Sequence, residues 1–156
     1  MLEVGSKAPE FVLANDEGGE TSLTDLLQDG PLILYFYPAD FTPGCTKEAC
    51  SIRDIHNDIQ AVGLRVAGVS PQDVESHQKF RDEYGLPFTL LSDPDKVAIK
   101  MYDVDGMFGV GVRRATFLIS QDRIIQDAVM ADVRIGRHQE FIEKAIVLRE
   151  TAGKAR

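Results

Sequence analysis

An unbroken apolar run, Leu32-Ile33-Leu34-Tyr35-Phe36-Tyr37, ends at Pro38 and limits the possible folds more than any other stretch. A strand with one wet face alternates apolar and polar residues, so a run without polar positions predicts a strand buried on both faces, and hence a central one. A loop follows, and Pro43, whose fixed φ suits a first helical turn, opens a helical pattern. That pattern predicts a helix from about 44 to 62, with Ala49, Ile52, Ile55, Ile59 and Val62 at spacings of three and four. The unit then recurs. Leu64 to Ser70 reads as a second strand, Pro71 opens its exit, and Val74 to Tyr84 is a helix stopped by Gly85-Leu86-Pro87. Two strand-loop-helix units in succession favour parallel pairing with a right-handed crossover, which makes the first half α/β.

The flanking segments complete the plan. Phe11-Val12-Leu13 and Glu20-Thr21-Ser22 flank the turn-rich Asn15-Asp16-Glu17-Gly18-Gly19 and predict a hairpin. Ser22 or Thr24 can cap a short helix through Leu27. Phe88 to Leu91 is a short strand, Pro94 to Met101 a short helix, and Gly106 to Gly111 a flexible loop. Ala115 to Ser120 and Ile124 to Met130 form an antiparallel pair joined by Gln121-Asp122-Arg123, and Gly136 to about Glu150 is the last helix. Parallel units, then an antiparallel pair and a closing helix, predict a thioredoxin-like α/β fold: a central mixed β-sheet flanked by helices, with an N-terminal β-hairpin.

A chain of 156 residues, 44% hydrophobic and 27% charged, reads as one soluble domain spanning 1–156 with a single substantial core. No apolar stretch approaches the roughly 20 residues of a membrane span, and Met1-Leu2-Glu3-Val4 lacks the regions of a signal peptide, so a cytoplasmic protein is expected. A net charge of −8 argues against nucleic-acid or anionic-membrane partners. The acidic residues are dense before residue 30, where only Lys7 opposes them, and read as a solvated face. Two cysteines in a reducing compartment suit a transient, catalytic disulfide better than a permanent staple.

Both cysteines lie in Pro38-Ala39-Asp40-Phe41-Thr42-Pro43-Gly44-Cys45-Thr46-Lys47-Glu48-Ala49-Cys50. Cys45 falls at a helix N-terminus, where unpaired N–H groups and the positive end of the helix dipole favour an anion and therefore the thiolate. Pro38, Thr42 and Cys45 match the Pro-x-x-x-Thr/Ser-x-x-Cys signature of the peroxiredoxins, and Phe-Thr-Pro-Gly-Cys-Thr-x-x-Ala-Cys resembles their Q-type, bacterioferritin-comigratory branch. The resemblance runs from Gly5-Ala8-Pro9-Phe11 to the terminal helix. It weakens after Ser120, where the family often has Asp-x-x-Gly and this chain has Gln121-Asp122-Arg123.

The resemblance implies roles for five residues. Cys45 is the peroxide-reacting thiol and Cys50, on the same helix, the resolving thiol. The Thr42 hydroxyl contacts both sulfur and peroxide and can still cap the helix, while Pro38 shields and shapes the pocket. Arg114, just before Ala115-Thr116-Phe117, supplies the cation. Strand alternation sends neighbouring Arg113 to the opposite face. Glu48 either favours its helix by standing in the first turn or positions Arg114. His56 shares the Cys45 face but lies three turns away and reads as a semi-buried histidine; His77 and His138 have no partner that sequence identifies. Two cysteines without a nearby Cys/His pair fall short of a zinc site, and Gly109-Val110-Gly111 is not a dinucleotide fingerprint, so no metal or bound cofactor is expected.

The implied activity is a thiol peroxidase acting on hydrogen peroxide and organic hydroperoxides, recycled by thioredoxin or a similar dithiol protein, and monomeric. A general thiol–disulfide oxidoreductase on the same fold would carry Cys-x-x-Cys, whereas four residues separate these cysteines. A non-catalytic thioredoxin-like binding or holdase module would reduce neither peroxide nor protein disulfides. Five helical residues turn about 500° and rise about 7.5 Å, which places the two Cα atoms roughly 8.6 Å apart on an intact helix. A disulfide needs about 6.8 Å or less, so the implied Cys45–Cys50 bond requires the helix to unwind between them.

Overall fold

A computed structural model describes residues 1–154. Its centre is strand β3 (Leu32–Phe36), all five residues buried. Alternation divides this strand between two apolar layers: Leu32, Leu34 and Phe36 face one, Ile33, Tyr35 and the following Tyr37 the other. β4 (Arg65–Ser70) pairs parallel with β3, and β5 (Thr89–Ser92) pairs parallel with β4. β6 (Ala115–Ile119) runs antiparallel on the other side of β3 and carries β7 (Ile125–Met130) at the edge. The hairpin of β1 (Val12–Asn15) and β2 (Glu20–Ser22) joins the far edge through antiparallel β1–β5 pairing. The seven-stranded mixed sheet has the order β2-β1-β5-β4-β3-β6-β7.

Local chemistry sets most boundaries. Asn15 Oδ1 accepts from the N–H groups of Glu17 and Gly19, which closes the hairpin turn. Ser22 and Asp25 form a reciprocal capping box on α1 (Leu23–Leu26). α4 (Val74–Tyr84) begins with Asp73 accepting from Ser76 N–H at 2.8 Å and ends at Gly85 in the left-handed conformation. α5 (Val97–Met101) and α1 cover one face of the sheet. The other face is covered by α2 (Pro43–Asp54), α3 (His56–Ala61), α4 and the terminal α6 (Gly136–Lys154).

The structure differs from the sequence expectation in three places. The helix expected from 44 to 62 is broken at Ile55, whose φ of −109° and ψ of 10° leave the helical region, so α2 and α3 are separate. Ile52 and Ile59 are both fully buried across the break, so the apolar spacing carries no trace of it. The glycine-rich segment after Gly106 is bonded to itself and to Lys96, whose Nζ donates to Asp105 Oδ1 and to the carbonyls of Gly109 and Gly111. In the early acidic run, Asp16 is buried and lies 3.2 Å from Arg81 Nη1, not on a solvated face.

The β6–β7 turn explains how this chain tolerates its departure from Asp-x-x-Gly. Arg123 sits at φ 66°, a conformation that glycine adopts without cost. Its guanidinium donates twice to the Ala8 carbonyl, at 3.2 and 3.1 Å, and those bonds offset the strain. No described helix is long and apolar enough to cross a membrane.

Candidate active site

The chain leaves β3 at Tyr37, turns through half-buried Pro38, and reaches Phe41 at φ 65°, which redirects it into α2. Thr42 is the N-cap residue and Pro43 opens the first turn, so Cys45 is the third helical residue. Its side chain shares the buried face of α2 with Ala49 and Ile52 and is 1% exposed.

Arg114 meets it from the sheet. Its Nη2 donates to Cys45 Sγ at 3.2 Å and its Nη1 to Glu48 Oε1 at 2.8 Å, so one buried guanidinium holds both groups. Its backbone is fixed as well, the N–H donating to Asp132 Oδ1 and the carbonyl accepting from Ala131. Gly44 makes room: a Cβ there would lie 3.1 Å from Arg114 Nη2 and 3.4 Å from Ile135 Cδ1. Neighbouring Arg113 points outward and pairs with Asp132 at 2.7 Å.

The Thr42 hydroxyl does not cap α2. It donates to the Ala39 carbonyl at 3.1 Å, satisfying a loop oxygen that has no place in the sheet ladder. Cys50 lies in the same continuous helix, half-buried, and both cysteines are free thiols. The structure therefore places Cys45, Arg114 and Glu48 in contact, with Thr42 and Pro38 on the adjoining loop and Cys50 on another face of α2. His56 lies beside Phe88, and burial pushes its basicity down.

Glu48 is fully buried. Burial raises its carboxyl to about 7, and the Arg114 guanidinium offsets only part of that rise. Behind it lies His138 of α6, whose Nδ1 is 3.5 Å from Glu48 Oε2 and 2.8 Å from Thr116 Oγ1. Burial also lowers the basicity of His138. On the β3 side, the Tyr35 hydroxyl is buried without a hydrogen-bond partner among the described residues. Burial holds that phenol well above its usual range, and the nearby negative charges add to the effect.

A second buried cluster secures the loop ahead of Cys45. Asp40 accepts from Tyr37 Oη at 2.7 Å and from Ser76 Oγ at 2.7 Å, and lies 2.7 Å from His77 Nδ1. His77 Nε2 reaches the Leu91 carbonyl at 3.1 Å. Burial alone would raise the Asp40 carboxyl, but the bonds from His77, Tyr37 and Ser76 hold it below the ordinary range. Sequence reasoning assigned Asp40, His77 and His138 no role. A signal for the histidines was available: His77 lies three residues before Phe80, and His138 three and four before Phe141 and Ile142, so both stand on apolar helix faces and need buried partners.

A buried thiol at the start of a helix, with a guanidinium on its sulfur and set against a thioredoxin-like sheet, defines a site for thiolate chemistry. The AhpC/TSA family model matches residues 4–128. A putative peroxiredoxin Bcp from Coxiella burnetii is 46% identical over 143 residues, covering 88% of this chain and 93% of its own. Peroxiredoxin Bcp of Bacillus subtilis is 40% identical over 133 residues, covering 81% and 84%. Among solved structures, peroxidoxin BcpB from Mycobacterium tuberculosis superimposes with a TM-score of 0.88 at 32% identity, over 95% of this chain and 98% of that one. The bacterioferritin comigratory protein of Xanthomonas campestris, described for its alkyl peroxide reduction activity, gives 0.83 at 29% identity over 95% and 97%. The chain belongs to the AhpC/TSA family and is a peroxiredoxin of the Bcp/Q kind. It is thus an enzyme, a thiol peroxidase; peroxiredoxins act on peroxides and are recycled by thioredoxin-like reductants.

Proposed function

We propose that Cys45 is the peroxide-reacting thiol, that Cys50 resolves it, and that Arg114, Thr42 and Pro38 build the pocket in which peroxide is cleaved. The observation that carries this reading is the Arg114 guanidinium donating to Cys45 Sγ at 3.2 Å at the start of α2. A cation and the first N–H groups of a helix together favour the thiolate and stabilise charge that moves onto a departing oxygen. The Cys45 thiolate attacks the terminal peroxide oxygen; the S–O bond forms, the O–O bond breaks, and the leaving oxygen takes up a proton to become water or an alcohol. Rotation of the Thr42 side chain away from Ala39 would let its hydroxyl meet the peroxide, while Pro38 walls the pocket.

Cys45 is then a sulfenic acid. The Cys50 thiolate attacks its sulfur, the S–S bond forms as the S–O bond breaks, the departing hydroxide takes a proton from solvent to leave as water, and a thioredoxin-like dithiol exchanges with the resulting disulfide to restore both thiols. Hydrogen peroxide and organic hydroperoxides are the proposed substrates, the latter supported by the alkyl peroxide reduction of the Xanthomonas relative. The same reading takes residues 1–156 as one domain, working as a cytoplasmic monomer without a bound cofactor. A peroxide panel run with thioredoxin, thioredoxin reductase and reduced nicotinamide nucleotide tests it. Peroxide-dependent turnover lost in Cys45→Ser supports the assignment; turnover retained in that variant overturns it.

A further inference from the structure

Arg114 stands between two groups that can each carry a negative charge, Cys45 Sγ at 3.2 Å and Glu48 Oε1 at 2.8 Å, and both are buried. If both were ionised, one guanidinium would face two buried anions, and the cluster would carry an uncompensated charge away from water. Among the described residues, the other groups facing Glu48 offer no second cation. Tyr35, from β3, presents a phenol that resists ionisation, and Thr116, from β6, presents its hydroxyl to His138. His138, from α6, is the remaining titratable neighbour, and its hydrogen bonds fix its form. Nε2 lies 2.9 Å from the Ala131 carbonyl, which can only accept, so Nε2 carries the hydrogen. Burial favours the neutral ring, which leaves Nδ1 as a bare lone pair that accepts from Thr116.

Glu48 Oε2 therefore faces that nitrogen across 3.5 Å, buried and without a hydrogen-bond partner of its own. Two acceptors pointed at one another are unfavourable, and a proton on Oε2 removes the conflict: the Thr116 hydroxyl turns its hydrogen elsewhere, and with a closure of a few tenths of an ångström the single Nδ1 lone pair accepts from Oε2 instead.

We propose that Glu48 holds a proton while Cys45 is a thiolate and gives it up as Cys45 becomes a sulfenic acid, so that the buried Cys45–Arg114–Glu48 cluster stays neutral throughout. Before reaction the charges are minus one on sulfur, plus one on Arg114 and zero on Glu48. After it they are zero on the sulfenic acid, plus one on Arg114 and minus one on Glu48. The S–O bond forms, the O–O bond breaks, and the leaving oxygen takes a proton from solvent; the proton lost from Glu48 Oε2 returns one to solvent. Arg114 loses one anionic partner and gains another in the same step. The proposal rests on the assignment of Cys45 as the peroxide-reacting thiol.

The test uses Cys50→Ser protein, in which the reaction stops at the sulfenic acid, mixed with one equivalent of hydrogen peroxide near pH 8, above the value of about 7 for Glu48, in weak buffer with a pH indicator. The thiolate is quantified beforehand by its ultraviolet absorbance. A thiolate that reacts without compensation takes up about one proton per peroxide from solvent. The expectation is uptake close to zero with Glu48 present and close to one in the Glu48→Gln version. Uptake close to one per thiolate with Glu48 present overturns the proposal. Infrared difference spectra of the same oxidation give a second readout that needs no change at Glu48. Loss of a protonated-carboxyl stretch with gain of a carboxylate band supports the proposal, and an unchanged carboxyl region overturns it, even if Glu48→Gln fails to fold. Absence of a dimedone adduct on Cys45 would instead overturn the assignment of the thiol, and the proposal with it.

Discussion

Arg114 Nη2 lies 3.2 Å from Cys45 Sγ, whereas Arg113, one residue earlier, points away and pairs with Asp132. In the proposed mechanism the first cation stabilises both the thiolate and the transition state, whereas removing the second loses only an exposed ion pair. Arg114→Ala should therefore slow peroxide reduction tenfold or more, since about 1.4 kcal/mol corresponds to a factor of ten. Arg113→Ala should stay within about twofold, as exposed pairs contribute little. Rates of Cys45 alkylation and of single-turnover peroxide consumption check this, and equal behaviour of the two variants would refute it.

Attack and resolution are separate steps. Cys50→Ser should consume about one equivalent of peroxide and stall at a sulfenic acid that a dimedone-type reagent traps. Mass spectrometry reads the adduct on Cys45. Sustained thioredoxin-coupled turnover by this variant would remove Cys50 from the resolving role.

Both cysteines are free thiols on the unbroken helix α2, and an intact helix holds positions five apart about 8.6 Å from one another at Cα. Closing a disulfide requires the turns around Thr46 to Ser51 to unwind. Oxidised protein should lose amide-exchange protection there and show weaker helical circular dichroism than reduced protein. Superimposable exchange profiles across residues 44–54 would exclude this route.

The Asp40 cluster predicts an acid dependence of stability. The native carboxyl lies below its ordinary value of 3.8, so above that pH the unfolded chain has no proton to gain and the full stabilisation is present. As pH falls below 3.8 the unfolded carboxyl protonates first, and the stabilisation is lost as the native carboxyl follows. Asp40→Asn should lower stability near neutrality by about 3–5 kcal/mol, the order expected for breaking a buried pair. It should also flatten the loss of stability below pH 4. Urea unfolding midpoints across that range decide the matter; parallel pH profiles for both proteins would count against the cluster as the source.

The sequence alone determined the elements and their order, because each depends on residues close together in the chain. The apolar run Leu32 to Tyr37 announced a central strand, Gly85 closed α4, and Pro43 placed Cys45 in a first helical turn. Tertiary structure decided what those elements bring together. Arg114 and Glu48 are 66 residues apart, His77 and Asp40 37 apart, and no local periodicity encodes a contact across such distances. The Thr42 hydroxyl likewise has the composition of a cap, yet the turn at Phe41 places the Ala39 carbonyl within its reach. A break at Ile55 stayed hidden because Ile52 and Ile59 remain buried on either side of it. Spacing along a chain records which face a residue shares, and the buried partner it must find on that face is chosen only when the sheet and helices pack.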